Sequence, residues 1–210
     1  MGSPVVINES WYYLLVTRYD RRHNATGYIT RFHQEDFCQA MGIPPEHKYA
    51  TEDGPTFKTS FELLRRVATR PAIETLKLVD AAIFNLIVGN ADAHGKNFSL
   101  LYDTGETRLA PLYDLLCTAA YPDVATRLAM QFADASDLKE FTPRLWDRFA
   151  KIIEVGAPYL RRRLFRLGQL VLREADGVAG RIANQGFDGD ALGRFAEIAR
   201  SRCAVLLDQA

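Results

Sequence analysis

The stretch Gly89-Asn90-Ala91-Asp92-Ala93-His94-Gly95-Lys96-Asn97, followed by Tyr113-Asp114, decides how this chain is read. Upstream of it, Pro71 suits a first helical position. The helix it starts is apolar around most of its circumference through Ile73, Leu76, Val79, Ile83, Phe84 and Ile87. Gly89 ends that helix. A helix of this kind is central and buried, so the polar loop after it is held at the edge of a core. Downstream, Phe98 to Tyr102 and Thr107 to Leu112 flank Asp103-Thr104-Gly105-Glu106, a hairpin signature. Pairing Tyr102 with Thr107 sets Asn97 opposite Leu112 and diagonal to Asp114, roughly 7–8 Å away, a span that one metal ion bridges.

Those residue types suit phosphoryl transfer. Magnesium takes a few oxygen ligands from carboxylates and amides and completes its octahedron with phosphates and water, which fits Asn97 and Asp114. A carboxylate outside the metal's shell accepts the proton of an attacking hydroxyl, and Asp92 is the candidate. The spacing Asp92-x-x-x-x-Asn97 is that of a protein-kinase catalytic loop, with Asp114 standing where the metal-binding Asp follows a short hairpin. Asn90-Ala91 in place of His-Arg, and Asp114-Leu115-Leu116 in place of Asp-Phe-Gly, argue against an ordinary protein kinase.

The outer segments run from β to α. Val5-Val6-Ile7 and Tyr12 to Thr17 read as a hairpin with its turn at Asn8-Glu9; Arg18 to Asn24 reads as a polar connector and Gly27 to Phe32 as a short strand. A short helix is expected over Gln34–Met41, stopped by Gly42, and another to about Thr69 from a capping box at Thr59-Ser-Phe-Glu62. Helices follow from Thr142-Pro143, and over about 157–175 and 190–207. The expected class is α+β, mainly α.

Twenty-six basic and twenty-six acidic side chains balance among 210 residues, so no global field draws the chain to nucleic acid or an anionic membrane. The odd, widely spaced cysteines Cys38, Cys117 and Cys203 fit neither a disulfide framework nor a zinc site, and they point to a reducing, cytoplasmic compartment. No stretch reaches the roughly 18 apolar residues of a membrane span.

The departures from the protein-kinase pattern have a match. His33-Gln-Glu-Asp-Phe-Cys-Gln39, Lys48-Tyr49 with Asp53-Gly-Pro55, Gly89 to Ser99, Leu109-Ala-Pro-Leu-Tyr-Asp114 and Leu128-Ala-Met130 together resemble the C-terminal part of the HipA-type serine/threonine kinase toxins of bacterial HipA–HipB systems. The resemblance covers nearly the whole chain. It implies a kinase-like C-lobe that uses ATP and Mg2+, with Asp92 as catalytic base and Asn97 and Asp114 as metal ligands. It also implies that Val16, Thr17 and Tyr19 lie in the segment contacting adenine, and that a protein substrate and a HipB-like antitoxin are partners. His94 stands two residues after the base, where protein kinases carry a phosphate-facing lysine; a neutral or protonated imidazole would have to serve there. Lys96 is either exposed or phosphate-facing, and is counted with the cofactor-binding residues.

Family members also have a phosphate-covering loop and a strand lysine before the adenine-contacting segment. Here the first lysine is Lys48, and only Gly2 and Gly27 precede Gly42. Residues 1–210 are therefore expected to form one domain, with 1–19 as the last N-lobe hairpin and adenine segment and 20–210 as the C-lobe. A separately encoded N-lobe is a candidate partner.

Taken singly, each site residue has a plainer explanation. Asp92 suits a loop after a helix-ending glycine, Asn97 a turn, and Asp114 a cap; only the set favours chemistry. Arg161-Arg162-Arg163 reads as a solvated helix face, Trp11 and Trp146 as packing groups, and His23, His33 and His47 as surface imidazoles. A non-catalytic remnant or antitoxin-binding module is the competing class, and a magnesium-dependent hydrolase the third.

Overall fold

A computed structural model describes residues 2–8 and 11–209, with side chains from Val16 to Gln209. Strands β1 (Gly2–Asn8) and β2 (Trp11–Val16) form the expected antiparallel hairpin, which pairs with no other strand among the described residues. Glu9 of its turn and the Trp11 side chain lie outside the described set.

The expected polar connector contains a strand. β3 (Arg21–His23) pairs with β4 (Ile29–Arg31). The turn between them is local chemistry: the Asn24 side-chain oxygen accepts from the Thr26 and Tyr28 amides, and Gly27 adopts a positive φ of 82°. The expected helix at Gln34 also begins later, because His33–Asp36 is strand β5, paired with residues 99–102. Asp36 then caps α1 (Phe37–Met41) in a reciprocal box with Gln39, and Gly42 closes it at φ 69°.

The cap of helix α2 (Phe57–Val67) lies three residues before the expected one: Thr56 is the N-cap and Thr59 the reciprocating residue. Hydroxyls at both positions do the work that Ser/Thr and Glu usually share. Helix α3 (Pro71–Val88) runs as read, with Gly89 at φ 78°. Strands β6 (Ser99–Asp103) and β7 (Glu106–Leu109) pair in the expected register, Tyr102 opposite Thr107, and complete the three-stranded sheet β5-β6-β7. Helices α4 (Pro143–Ile152), α5 (Ala157–Ala183) and α6 (Gly189–Asp208) finish the chain, α5 being eight residues longer than expected.

Leu78, Val79, Ile83, Leu86 and Ile87 of α3 are buried at the centre of the core. On one side an aromatic cluster packs Phe57, Phe132, Phe141, Trp146 and Phe149, with Phe132 and Phe149 ring centres 4.5 Å apart. On another, α5 is tied to α3 by Arg163, whose Nε donates to Asp80 at 2.7 Å; this member of the arginine triplet is therefore not simply solvated. Buried Glu74 of α3 accepts from the Leu109 amide at 3.0 Å and from Lys77, which locks the β6–β7 hairpin to the central helix. Cys38, Cys117 and Cys203 are all free thiols, and no helix among the described residues is long and apolar enough to cross a membrane.

Candidate functional site: the loop after the central helix

The loop from Gly89 to Asn97 is positioned from both of its ends. At its start, the Arg202 guanidinium of α6 donates to the Leu86 carbonyl at 2.7 Å, satisfying a carbonyl of the last turn of α3. The buried Thr118 hydroxyl donates to the Gly89 carbonyl at 3.0 Å and accepts from the Ala91 amide at 2.8 Å. At its end, a 3-10 turn over Gly95–Asn97 leads into β6. A third tie comes from the Leu128-Ala129-Met130 stretch: the Ala129 amide donates to the Ala91 carbonyl, and the Ala129 carbonyl accepts from Ala50. The similarity of that stretch to the family thus has a structural reason.

Asn90 is the hub. It is buried, and its amide nitrogen donates to Asn85 Oδ1 at 2.8 Å and to the Asp114 carbonyl at 3.0 Å, while its oxygen accepts from the Asp92 amide at 3.2 Å. One side chain thereby couples the central helix, the residue proposed as base and the residue proposed as metal ligand. In the sequence Asn90 is a departure from the kinase pattern and part of the Gly89 to Ser99 stretch that carries the resemblance, with no role of its own. The signal was present in Asn85, the one polar side chain among residues 81–88, because two buried amides so placed must find partners.

Asp92 is partly exposed. Its Oδ1 accepts from the Tyr49 hydroxyl at 3.0 Å. Tyr49 comes from the loop between α1 and α2, which is pressed against this one: the Gly95 amide donates to the Lys48 carbonyl at 3.2 Å, and a side chain at Gly95 would place its Cβ 2.4 Å from Pro55 Cγ. Asp92 also lines an open groove of about 820 Å3 whose other walls include Leu115, Leu116, Tyr121, Val124 and Phe195.

Asn97 and Asp114 meet directly. The Asn97 amide nitrogen donates to Asp114 Oδ2 at 2.5 Å, and its oxygen accepts from the His94 amide at 3.0 Å. The route to this contact differs from the strand diagonal expected. Pairing continues one step past β7, with the Ala110 amide donating to Ser99, and then Pro111, which has no N–H, ends the ladder. Asp114 returns toward Asn97 through a left-handed backbone, φ 55°. A non-glycine residue in that region stores strain of about 1–3 kcal/mol, held here by the bonds from Asn90 and Asn97.

The donor set suits a hard cation. Asp114 is exposed and offers a carboxylate; a half-turn of the Asn97 carboxamide presents its oxygen on the same side, at the loss of the bond from the His94 amide. Among the described residues no group of three or more His, Cys, Asp or Glu is placed to hold a metal ion.

His94 is 7% exposed, and its Nδ1 has no hydrogen-bond partner among the described residues. Its ring stands edge-on to Tyr49 at 5.4 Å. Burial pushes its pKa below the ordinary imidazole value and the charge of Lys48 adds to this, so the ring is neutral at neutral pH. Lys96 is half-buried, and its charge is felt by the Cys38 thiol of α1. Tyr19 stacks on Tyr113 with ring centres 6.2 Å apart and donates to Gln34, while Val16 and Thr17 are exposed beside it in sequence. Tyr113 in turn donates to the Lys96 carbonyl at 2.6 Å and pairs with the Ser99 hydroxyl; burial pushes its phenol up to about 12. The segment after β2 is thus joined through two tyrosines to the residue next to Asp114.

Comparison with known proteins gives this arrangement a family. The model of the HipA-like C-terminal domain matches residues 4–180. Y4mE of Sinorhizobium fredii, named for an inferred kinase activity, is 50% identical over 194 residues, covering 92% of this chain and 46% of that protein. The serine/threonine-protein kinase toxin HipA of Shewanella oneidensis is 34% identical over 137 residues, covering 59% of this chain and 31% of that one. A chain in the structure of the Shewanella oneidensis HipA–HipB toxin–antitoxin complex with operator DNA superposes with a TM-score of 0.83 at 26% identity, over 97% of this chain and 50% of its own. The chain spans half or less of the length of these relatives. It belongs to the HipA-like C-terminal domain family, and its architecture is that of the kinase-like HipA C-terminal region.

Proposed function

We propose that this chain carries the base-and-metal half of an ATP-dependent serine/threonine kinase site of the HipA type, and that it acts in the cytoplasm within a toxin–antitoxin pair with a HipB-like partner. The observation that carries this reading is the convergence of three oxygen-bearing side chains on one loop system. Asn97 touches Asp114 at 2.5 Å, and Asp92, five residues before Asn97, opens onto a groove wide enough for an acceptor segment.

Each residue then has a task. Asp114 and the Asn97 amide oxygen would hold Mg2+, which when bound neutralises the phosphate charge that develops in transfer. Tyr49 occupies one Asp92 oxygen and leaves the other for the acceptor hydroxyl, whose proton Asp92 takes. Val16, Thr17 and Tyr19 are assigned to the adenine side, and Lys96 to the phosphate side. Residues 1–19 are assigned to the last N-lobe hairpin and 20–210 to the C-lobe. In this reading a phosphate-covering loop and a strand lysine come from an N-lobe outside these 210 residues, on the same or a separate polypeptide, and the chain by itself transfers phosphate poorly.

The test is transfer of labelled γ-phosphate from ATP to protein by the chain completed with an N-lobe. Asp92→Ala is expected to lower the rate by roughly a hundred- to ten-thousand-fold, the contribution of a general base. Undiminished labelling by Asp92→Ala would overturn the reading. A second reading, a binding module for an antitoxin-like partner, is favoured by the exposed Leu115, Leu116, Tyr121 and Val124. It predicts partner binding with no labelling by the completed wild type.

A further inference from the structure

The residue two places after the proposed base is His94, buried and edge-on to Tyr49, so no cation stands where protein kinases place one. A transferring phosphoryl group spreads negative charge over three oxygens, and a site that withholds cations from it loses its largest source of stabilisation. The search for a substitute leads to the neighbouring loop. The Lys48 ammonium lies 4.9 Å from the centre of the Tyr49 ring, and the hydroxyl of that same ring is bonded to Asp92. The Lys48 main chain is fixed to the loop of the base by the Gly95 amide. Lys48 is half-buried and has no ion-pair partner among the described residues, whereas Asp92 and Asp114, the acids of the site, are left open to other groups. Lys96, the other lysine of the site, is half-buried on the loop of Asp92 itself.

We propose that Lys48 is a further catalytic residue, supplying from the α1–α2 loop the phosphate-facing cation that the loop of the base lacks. This rests on the kinase reading above. In the step it serves, the acceptor hydroxyl oxygen bonds to the γ-phosphorus of ATP and the bond from that phosphorus to the β–γ bridging oxygen breaks. The electron pair departs on ADP, and the hydroxyl proton passes to Asp92. Lys48 exchanges no atoms; its charge rests on the non-bridging γ-oxygens. Tyr49 joins the two functions, its ring face under the cation and its hydroxyl on the base, so one residue sets the distance between them.

A cation that faces the γ-phosphate favours ATP over ADP, which a merely structural lysine does not. The experiment compares wild type, Lys48→Met, Lys48→Arg and Asp92→Ala, each completed with an N-lobe. It reads calorimetric affinities for MgATP and MgADP, and kcat and KM for phosphate transfer. Lys48→Met is expected to cut the ATP-over-ADP preference by roughly tenfold, the scale of a lost charge-assisted bond. The same variant should cut kcat by on the order of a hundredfold. MgADP affinity and the unfolding midpoint should stay as in wild type, and Lys48→Arg should restore the preference. If Lys48→Met keeps the wild-type preference and kcat while Asp92→Ala is inactive, Lys48 has no such role and the kinase reading stands. If Asp92→Ala labels as well as wild type, the kinase reading falls and this inference with it.

Discussion

The loop from Gly89 to Asn97 and the segment from Pro111 to Arg127 contribute opposite sides of the same site, and they are built differently. In the first, only Asp92 and Lys96 escape burial, and Asn90, Asn97 and Thr118 satisfy its polar backbone groups. In the second, exposure runs through most positions and reaches apolar ones, with Leu116 at 48% and Tyr121 at 55%. Asp92, the proposed base, is therefore preorganised by the core, while Asp114 is held by two bonds from that loop, from Asn90 and Asn97. In the kinase reading proposed above, a site divided in this way would keep its proton acceptor in place and leave the metal side free to respond to ligands or partners.

The sharpest way to break the contrast is at Gly95. Gly95→Ala drives a Cβ into the Pro55 ring, which cannot rotate away, and parts the loop of Asp92 from that of Tyr49. Overpacking of this kind costs about 1–3 kcal/mol, measured as a shift in the denaturant midpoint, and activity should fall further than stability because Asp92 loses Tyr49. Asn90→Ala tests the hub: it leaves the Asn85 oxygen and the Asp92 amide without their partners, at about 1–3 kcal/mol, and releases Asp114. Magnesium titration should show weaker binding in that variant. Unchanged magnesium affinity would mean that Asp114 is not positioned through Asn90.

Two weaker effects sharpen the comparison. Ultraviolet titration of the nine tyrosines should show Tyr102 and Tyr113 ionising late, each near 12, because burial disfavours both phenolates and Glu35 adds to this at Tyr102. Their folded values lie above the unfolded one, so the stability they contribute is intact below about pH 10 and is lost as pH rises toward 12. On the exposed side, Leu116→Ser should change stability by less than about 0.5 kcal/mol, as surface substitutions do. Hydrogen exchange should be slow over 89–97 and fast over 115–127; equal protection in the two would remove the distinction.

Much of this was legible in the chain itself. Pro71, the apolar run to Val88 and Gly89 specify α3 because start, periodicity and stop are all local signals. Asp103-Thr-Gly-Glu106 likewise specified the register of β6 and β7. Strand β3 and the β5 pairing were missed since polar strands such as Arg21–His23 and His33–Asp36 carry no alternating apolar pattern, and only a partner strand defines them.

At the site the division is similar. Residue types and spacing singled out Asp92, Asn97 and Asp114, because the oxygen chemistry of two carboxylates and an amide is written in side chains. Tertiary structure decided how they meet. Pro111 ends the ladder, a left-handed Asp114 turns back, and buried Asn90 and Thr118 take up the hydrogen bonds that a loop leaving a helix must find. Those bonds join residues 24, 27 and 29 positions apart, and no local pattern records such partners; the requirement to satisfy every buried polar group, imposed once the core has formed, selects them.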